Sequence, residues 1–101
     1  MTKFQAKFAP KKNAVRIRWK TGNELNVTGF HVYRATKPNG KYKVLNKKLR
    51  PAKNIGGITG AKYVYLNKKF KRDKTYFYKL EIVQADGTSA WSEIVKVKIA
   101  K

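Results

Sequence analysis

The chain contains no cysteine, which removes disulfides and thiolate metal sites and leaves its stability to an apolar core. It has a single histidine, His31, with no second strong ligand to help it hold zinc, so an exposed strand position explains it more simply. Acids are scarce as well: Glu24, Asp73, Glu81, Asp86 and Glu93 are the only five. They fall in separate turns and strands, so no carboxylate pair is set for acid-base work or for calcium. Ser89 and Ser92 have no histidine near them in the topology derived below, which excludes a nucleophilic triad. No apolar run approaches membrane-spanning length, and Met1-Thr2-Lys3-Phe4 lacks the apolar stretch of a signal peptide. Catalysis, a metal and a cofactor are therefore not expected. If the chain comes from a longer protein, that parent's targeting signal would be absent here too.

Basic charge is what the chain has in excess. Its 101 residues include 25 Lys and Arg, for a net charge of +20. A field of that size costs stability through self-repulsion and attracts polyanions without regard to their sequence. A lysine-rich solubilising surface that keeps β edges from pairing is the competing explanation. With 42% hydrophobic and 13% aromatic content, residues 1–101 suffice for one globular domain.

Apolar residues recur at a period of two and never at a helical period, so the chain reads as short strands parted by turns. Lys3 to Ala9 places Phe4, Ala6 and Phe8 on one face, and Pro10 stops it. In the stretch from Asn13 to Lys20, Val15, Ile17 and Trp19 alternate with Arg16, Arg18 and Lys20, a half-buried antiparallel pattern that puts Trp19 in the core. A polar loop from Thr21 to Gly29 leads to a strand with Phe30 and Val32 inward and His31 and Tyr33 outward. Thr36-Lys37-Pro38-Asn39-Gly40 is a turn by composition. A short strand from Lys41 to Asn46 carries Tyr42 and Val44, and Lys47 to Gly60 is the longest irregular stretch. Its Gly56-Gly57-Ile58-Thr59-Gly60 segment lacks the lysine and the following helix of a phosphate loop. Asn26-Val27-Thr28 matches a glycosylation sequon, a triplet common by chance.

Lys62 to Asn67 resumes the alternation. Phe70 to Lys74 then turns into a strand whose Tyr76, Tyr78, Leu80 and Ile82 share one face. An aromatic phenol at the start of such a strand can bury its ring and return its hydroxyl to the backbone of the preceding turn. Ala85 to Ser89 forms a hairpin turn, and the last strand, Ser92 to Ala100, points Val95, Val97 and Ile99 inward. Seven short strands and no helix make an antiparallel, immunoglobulin-like β-sandwich.

Val15-Arg16-Ile17-Arg18-Trp19, Gly29-Phe30-His31-Val32-Tyr33-Arg34, Lys74-Thr75-Tyr76-Phe77-Tyr78-Lys79-Leu80 and Asp86-Gly87-Thr88-Ser89 resemble strands B, C, F and the following hairpin of a fibronectin type III domain. The resemblance covers nearly the whole chain, with Trp19 and Tyr76 as its most specific pair. It implies a tryptophan packed near the tyrosine corner, with Phe70 where a leucine usually opens the turn. Val32-Tyr33-Arg34 followed by Gly40-Lys41-Tyr42 is more similar to bacterial and archaeal members than to animal adhesion modules. No Arg-Gly-Asp tripeptide is present. By this resemblance the chain is a monomeric, non-catalytic spacer or adhesion unit of a larger secreted or cell-surface protein, with neighbouring domains as partners. An accessory domain of a carbohydrate-active enzyme is an alternative.

In an antiparallel sandwich successive loops alternate ends. One pole should therefore gather Lys11, Lys12, Lys37, Lys68, Lys69, Lys71, Arg72 and Lys74, opposed only by Asp73. Such a pole would suit a polyanion: acidic glycan, cell-wall polymer or nucleic acid. The opposite pole should mix Glu24, Asp86 and Glu93 with Lys47, Lys48, Arg50 and Lys53. A second candidate surface is the outer sheet face, where Lys41, Lys43, Tyr33, Phe77, Lys79, Lys96 and Lys98 intermingle and could stack on and neutralise an anionic chain. Aromatics that simply cover the sheet and shield lysine stems would look the same.

Overall fold

Alternation of apolar and charged residues builds the first hairpin. The computed structural model describes residues 3–100. In it β1 (Lys3–Ala9) and β2 (Ala14–Lys20) pair antiparallel, with Phe4 opposite Trp19, Ala6 opposite Ile17 and Phe8 opposite Val15. One face of the hairpin is thereby apolar and the other carries Lys7, Arg16 and Arg18. A single 3-10 turn, Pro10–Lys12, joins the strands and ends on Asn13 in the left-handed region at φ 48°, whose amide donates to the Pro10 carbonyl at 3.1 Å. On the far side of β2 lies β6 (Lys62–Asn67), which sets Tyr63 against Trp19 and Tyr65 against Ile17.

The second sheet is centred on β3 (Val27–Ala35) and β7 (Thr75–Gln84), paired antiparallel along most of their length. Two short strands, β4 (Lys43–Val44) and β5 (Arg50–Pro51), share the outer edge of β3. Between them the Asn46 side chain accepts from the Val32 amide at 2.6 Å and donates to the Phe30 carbonyl at 3.1 Å, standing in for a missing strand. On the other edge β7 pairs with β8 (Ser89–Trp91) and β9 (Val95–Lys98). The described residues thus hold nine strands rather than the seven expected. The expected strand from Ser92 to Ala100 begins later, at Val95, because Trp91 faces Glu81 while Val95 faces Tyr78, a slip of one residue that marks a bulge. The Ser92 hydroxyl takes the Leu80 amide there at 2.8 Å, which fills the gap in the ladder.

The inner faces of the two sheets form one core. Val15, Ile17, Trp19, Phe30, Val32, Tyr63, Tyr76, Tyr78, Leu80, Val97 and Ile99 are all buried in it. Trp19 stacks on Tyr63 with ring centroids 5.2 Å apart and meets Phe30 at 5.5 Å. Those two rings, not Tyr76, are its aromatic partners, and its Nε1 has no hydrogen-bond acceptor. Tyr76 does form the expected corner: its hydroxyl accepts the Lys71 amide at 2.9 Å.

Register also fixes the poles. Lys3, Lys20 and Lys62 stand side by side at one end, and Ala9, Asn67, Thr75 and Lys98 mark the other. The described chain therefore enters at one pole and leaves at the opposite pole of a body measuring 42 × 28 × 22 Å.

Candidate functional site: a basic pole and an aromatic sheet face

Lys11 and Lys12 occupy the β1–β2 turn, Lys37 the β3–β4 turn, and Lys68, Lys69, Lys71, Arg72 and Lys74 the β6–β7 connection. All eight are exposed at the same end of the sandwich. Side chains tie two of the three loops together. The Arg72 guanidinium donates to Asn13 Oδ1 at 2.6 Å and lies 5.7 Å from the Phe8 ring, which itself meets Phe70 edge-on at 5.6 Å. Arg34 reaches from β3 to the Lys69 carbonyl while covering the Tyr76 ring at 4.5 Å. Lys37 is positioned by its own turn, in which the Gly40 amide returns to the Lys37 carbonyl at 3.0 Å and the Tyr42 hydroxyl reaches Pro38 O at 3.0 Å. Arg72 is thus a fastener as well as a charge, and the lysine amines provide the field that faces solvent.

The outer face of the second sheet carries more order than its sequence suggests. Tyr33 on β3 meets Trp91 on β8 edge-on at 5.1 Å. Lys79 sits between two rings, with Nζ 4.4 Å from the centre of Tyr42 and 4.3 Å from that of Trp91. Beside them Glu81 accepts from the Ser89 and Tyr33 hydroxyls and lies 3.1 Å from His31 Nδ1. Burial pushes the Glu81 carboxyl up, but the bonds from Ser89, His31 and Tyr33 outweigh it and hold the group below the usual carboxylate range. Burial, and then the Glu81 charge, raise the Tyr33 phenol in turn. Trp91 and Tyr42 were not among the residues assigned to this face from the sequence. The bulge before Val95 reverses the phase of alternation, so the pattern of the last strand could not place Trp91.

The opposite pole differs from expectation in two respects. Glu24, expected among exposed charges, is 0% exposed. Its carboxylate accepts from the Thr21 hydroxyl at 2.9 Å, the Asn54 amide at 2.7 Å and the Tyr63 hydroxyl, so three donors compensate its removal from water. Tyr63 also accepts the Lys53 amide at 2.8 Å, and its phenol is pushed up to about 12, first by burial and then by its bond to Glu24. Second, Lys47, Lys48 and Arg50 run along the outer edge of β3 instead of gathering at the pole. Arg50 and Lys53 both lie against the Tyr63 ring, at 5.7 and 5.0 Å.

Among the described residues no three His, Asp or Glu side chains come together to hold a metal ion. No described helix is long and apolar enough to cross a membrane. One surface depression of about 370 Å³ lies between Lys3 and Phe4 of β1 and the Ala90–Glu93 segment, another of about 350 Å³ crosses the three-stranded sheet at its Lys3, Lys20 and Lys62 end, and neither holds both a carboxylate and a histidine.

Two facing antiparallel sheets, a pinned corner tyrosine and loops carrying the charge define an immunoglobulin-like sandwich module. The fold is that of a fibronectin type III-like domain. It is similar to a Fn3-like protein from Clostridium thermocellum, with a TM-score of 0.66 and 19% sequence identity over 98% of this chain and 90% of that one. No protein-family model matches the chain, and no curated protein matches it in sequence.

Proposed function

We propose that the chain is a non-catalytic module of a larger secreted or cell-surface protein, where it spaces or joins neighbouring domains. The observation that carries this reading is the passage of the chain from the Lys3 pole to the Lys98 pole of a body 42 Å long. A sandwich threaded end to end extends a chain of domains instead of folding it back on itself. Two copies joined through a short linker should scatter X-rays as an extended dumbbell with a maximum dimension near twice that length. A compact side-by-side particle would remove the reading.

A specific observation favours a second role for the same module, as a polyanion-binding unit. Arg72 fastens the β1–β2 turn to the β6–β7 connection, so seven lysines from three loops present their charge together with it at one end. Phosphate, sulfate or carboxylate groups of an acidic glycan, cell-wall polymer or nucleic acid would meet that end, and the affinity would depend steeply on salt. Measuring heparin and DNA affinity while the pole is reversed in charge tests this role. An accessory role beside a carbohydrate-active enzyme would use the Tyr33, Tyr42 and Trp91 face.

A further inference from the structure

Leu25, Ile55 and Ile58 are 57%, 65% and 81% exposed, and they stand on two loops of the pole opposite the basic one. Isolated exposed aliphatic residues are ordinary, but these loops are stapled to each other. The Glu24 amide donates to Gly57 O at 2.9 Å, the Gly56 amide donates to Glu24 O at 2.9 Å, and the Asn54 amide donates to the buried Glu24 carboxylate at 2.7 Å. Within the longer loop the Gly57 amide reaches Asn54 O at 2.8 Å, and the Asn54 side-chain amide reaches Thr59 O and Gly60 O at 3.3 and 3.2 Å. The loop thus satisfies these backbone groups internally while turning its isoleucines outward. Around it Lys3, Lys20 and Lys62 form a row across three strand ends, with Lys53 beside them, its ammonium bonded to the Lys62 carbonyl at 2.5 Å and lying over the Tyr63 ring. Glu24, the acid of this loop pair, is buried and compensated; Asp86 is exposed at the same pole, in the hairpin whose Ala85 amide donates to Asn26 O at 3.1 Å, and exposed Glu93 lines a depression with Lys3, so the lysines here outnumber the exposed acids.

We propose that this pole is a membrane-docking tip, with Ile55, Ile58 and Leu25 dipping into the interface of an anionic bilayer and the lysine row resting on its headgroups. Two features favour a bilayer. A second copy would bring another +20 to the contact, which opposes self-association. The apolar side chains project from loops whose Glu24, Asn54, Gly56 and Gly57 backbone groups are already bonded to one another, and a deformable hydrocarbon boundary accepts such side chains without a matching pocket. Each lysine near an anionic leaflet is worth roughly fivefold in partitioning, and each buried isoleucine roughly tenfold or more.

The absence of cysteine makes the test clean. Ile58→Cys and Lys71→Cys, each labelled with a polarity-sensitive dye, would be mixed with phosphatidylcholine vesicles with and without about one-third phosphatidylglycerol, at about 0.15 M salt. The label at position 58 should shift to the blue and brighten on anionic vesicles, while the label at 71 stays water-like. The double variant Ile55→Ser, Ile58→Ser keeps every charge and alters only exposed side chains, so its melting temperature should hold while vesicle affinity falls at least about tenfold. Equal affinity of that variant, or a water-like label at 58 on protein that sediments with the vesicles, would mean that charge alone adsorbs the molecule and would overturn the proposal. Failure to bind anionic vesicles at all would overturn it too, and would assign the tip to a protein partner. None of these outcomes bears on the end-to-end spacer geometry, which the scattering experiment judges separately.

Discussion

Two tyrosines use the same phenol in different ways. Tyr76 Oη accepts the Lys71 amide at 2.9 Å and so fixes the turn before β7. Tyr76→Phe keeps the ring and loses that acceptor, and should cost about 1–2 kcal/mol in urea unfolding. Tyr63 instead donates to the buried Glu24 carboxylate, and its phenol lies at about 12, against about 10 unfolded. The folded state therefore holds this proton more tightly. Its contribution is fully present below pH ~10 and is lost as pH rises toward 12. Alkaline unfolding of Tyr63→Phe should be flatter across that window than that of the parent, and an identical pH dependence would contradict the assignment. The Tyr76 bond was legible in the sequence because donor and acceptor lie five residues apart in one corner. Burial of Glu24 was not: its donors Thr21, Asn54 and Tyr63 come from three segments, and an acid in a polar loop reads as exposed until the fold gathers them.

At the scale of the element, period-two alternation is enough to orient β1, β2, β3, β6 and β7, since each has one buried and one outward face. It fails where a side chain replaces the ladder. Asn46 caps β3 between two strands of two residues each, and Ser92 bridges the bulge beside Leu80; neither polar residue announces that role in a linear pattern. The same bulge hid Trp91, hence half of the aromatic cradle around Lys79. Across the β3–β7–β8 face Glu81 gathers bonds from His31, Tyr33 and Ser89, and its depressed pKa links the face to acid stability. The sign follows from the direction of the shift: the contribution is present above the ordinary carboxylate range and disappears as pH falls through the lowered folded value. Glu81→Gln should therefore flatten the acid limb of a stability profile, and an unchanged limb would show the cluster to be energetically neutral. The joint between the two stapled loops can be probed by Gly60→Ala. An added Cβ would lie 1.8 Å from the Thr21 carbonyl oxygen, so the loss of stability should exceed the ~1 kcal/mol of an average substitution.

For the whole molecule, charge distribution decides more than charge total, because +20 alone guarantees some binding to any polyanion at low salt. If the basic pole is a site, about four of its cations meet phosphates of duplex DNA together, and log affinity should fall against log salt with a slope near −3.6. Reversal of Lys68, Lys69 and Lys71 to Glu takes three cations from the β6–β7 connection while leaving the Arg72–Asn13 fastener in place. The matched control is reversal of Lys47, Lys48 and Lys62, three exposed lysines outside that pole, chosen over Arg50 and Lys53 because those two cover the Tyr63 ring. Both variants lower the net charge equally, so a purely diffuse field predicts equal losses of heparin and DNA affinity. The pole predicts a much larger loss, and a shallower salt slope, from the first set only. Binding that persists at about 0.15 M salt, where the screening length is about 8 Å, would mark the pole as a site; equal losses from the two sets would reduce it to a solvated surface.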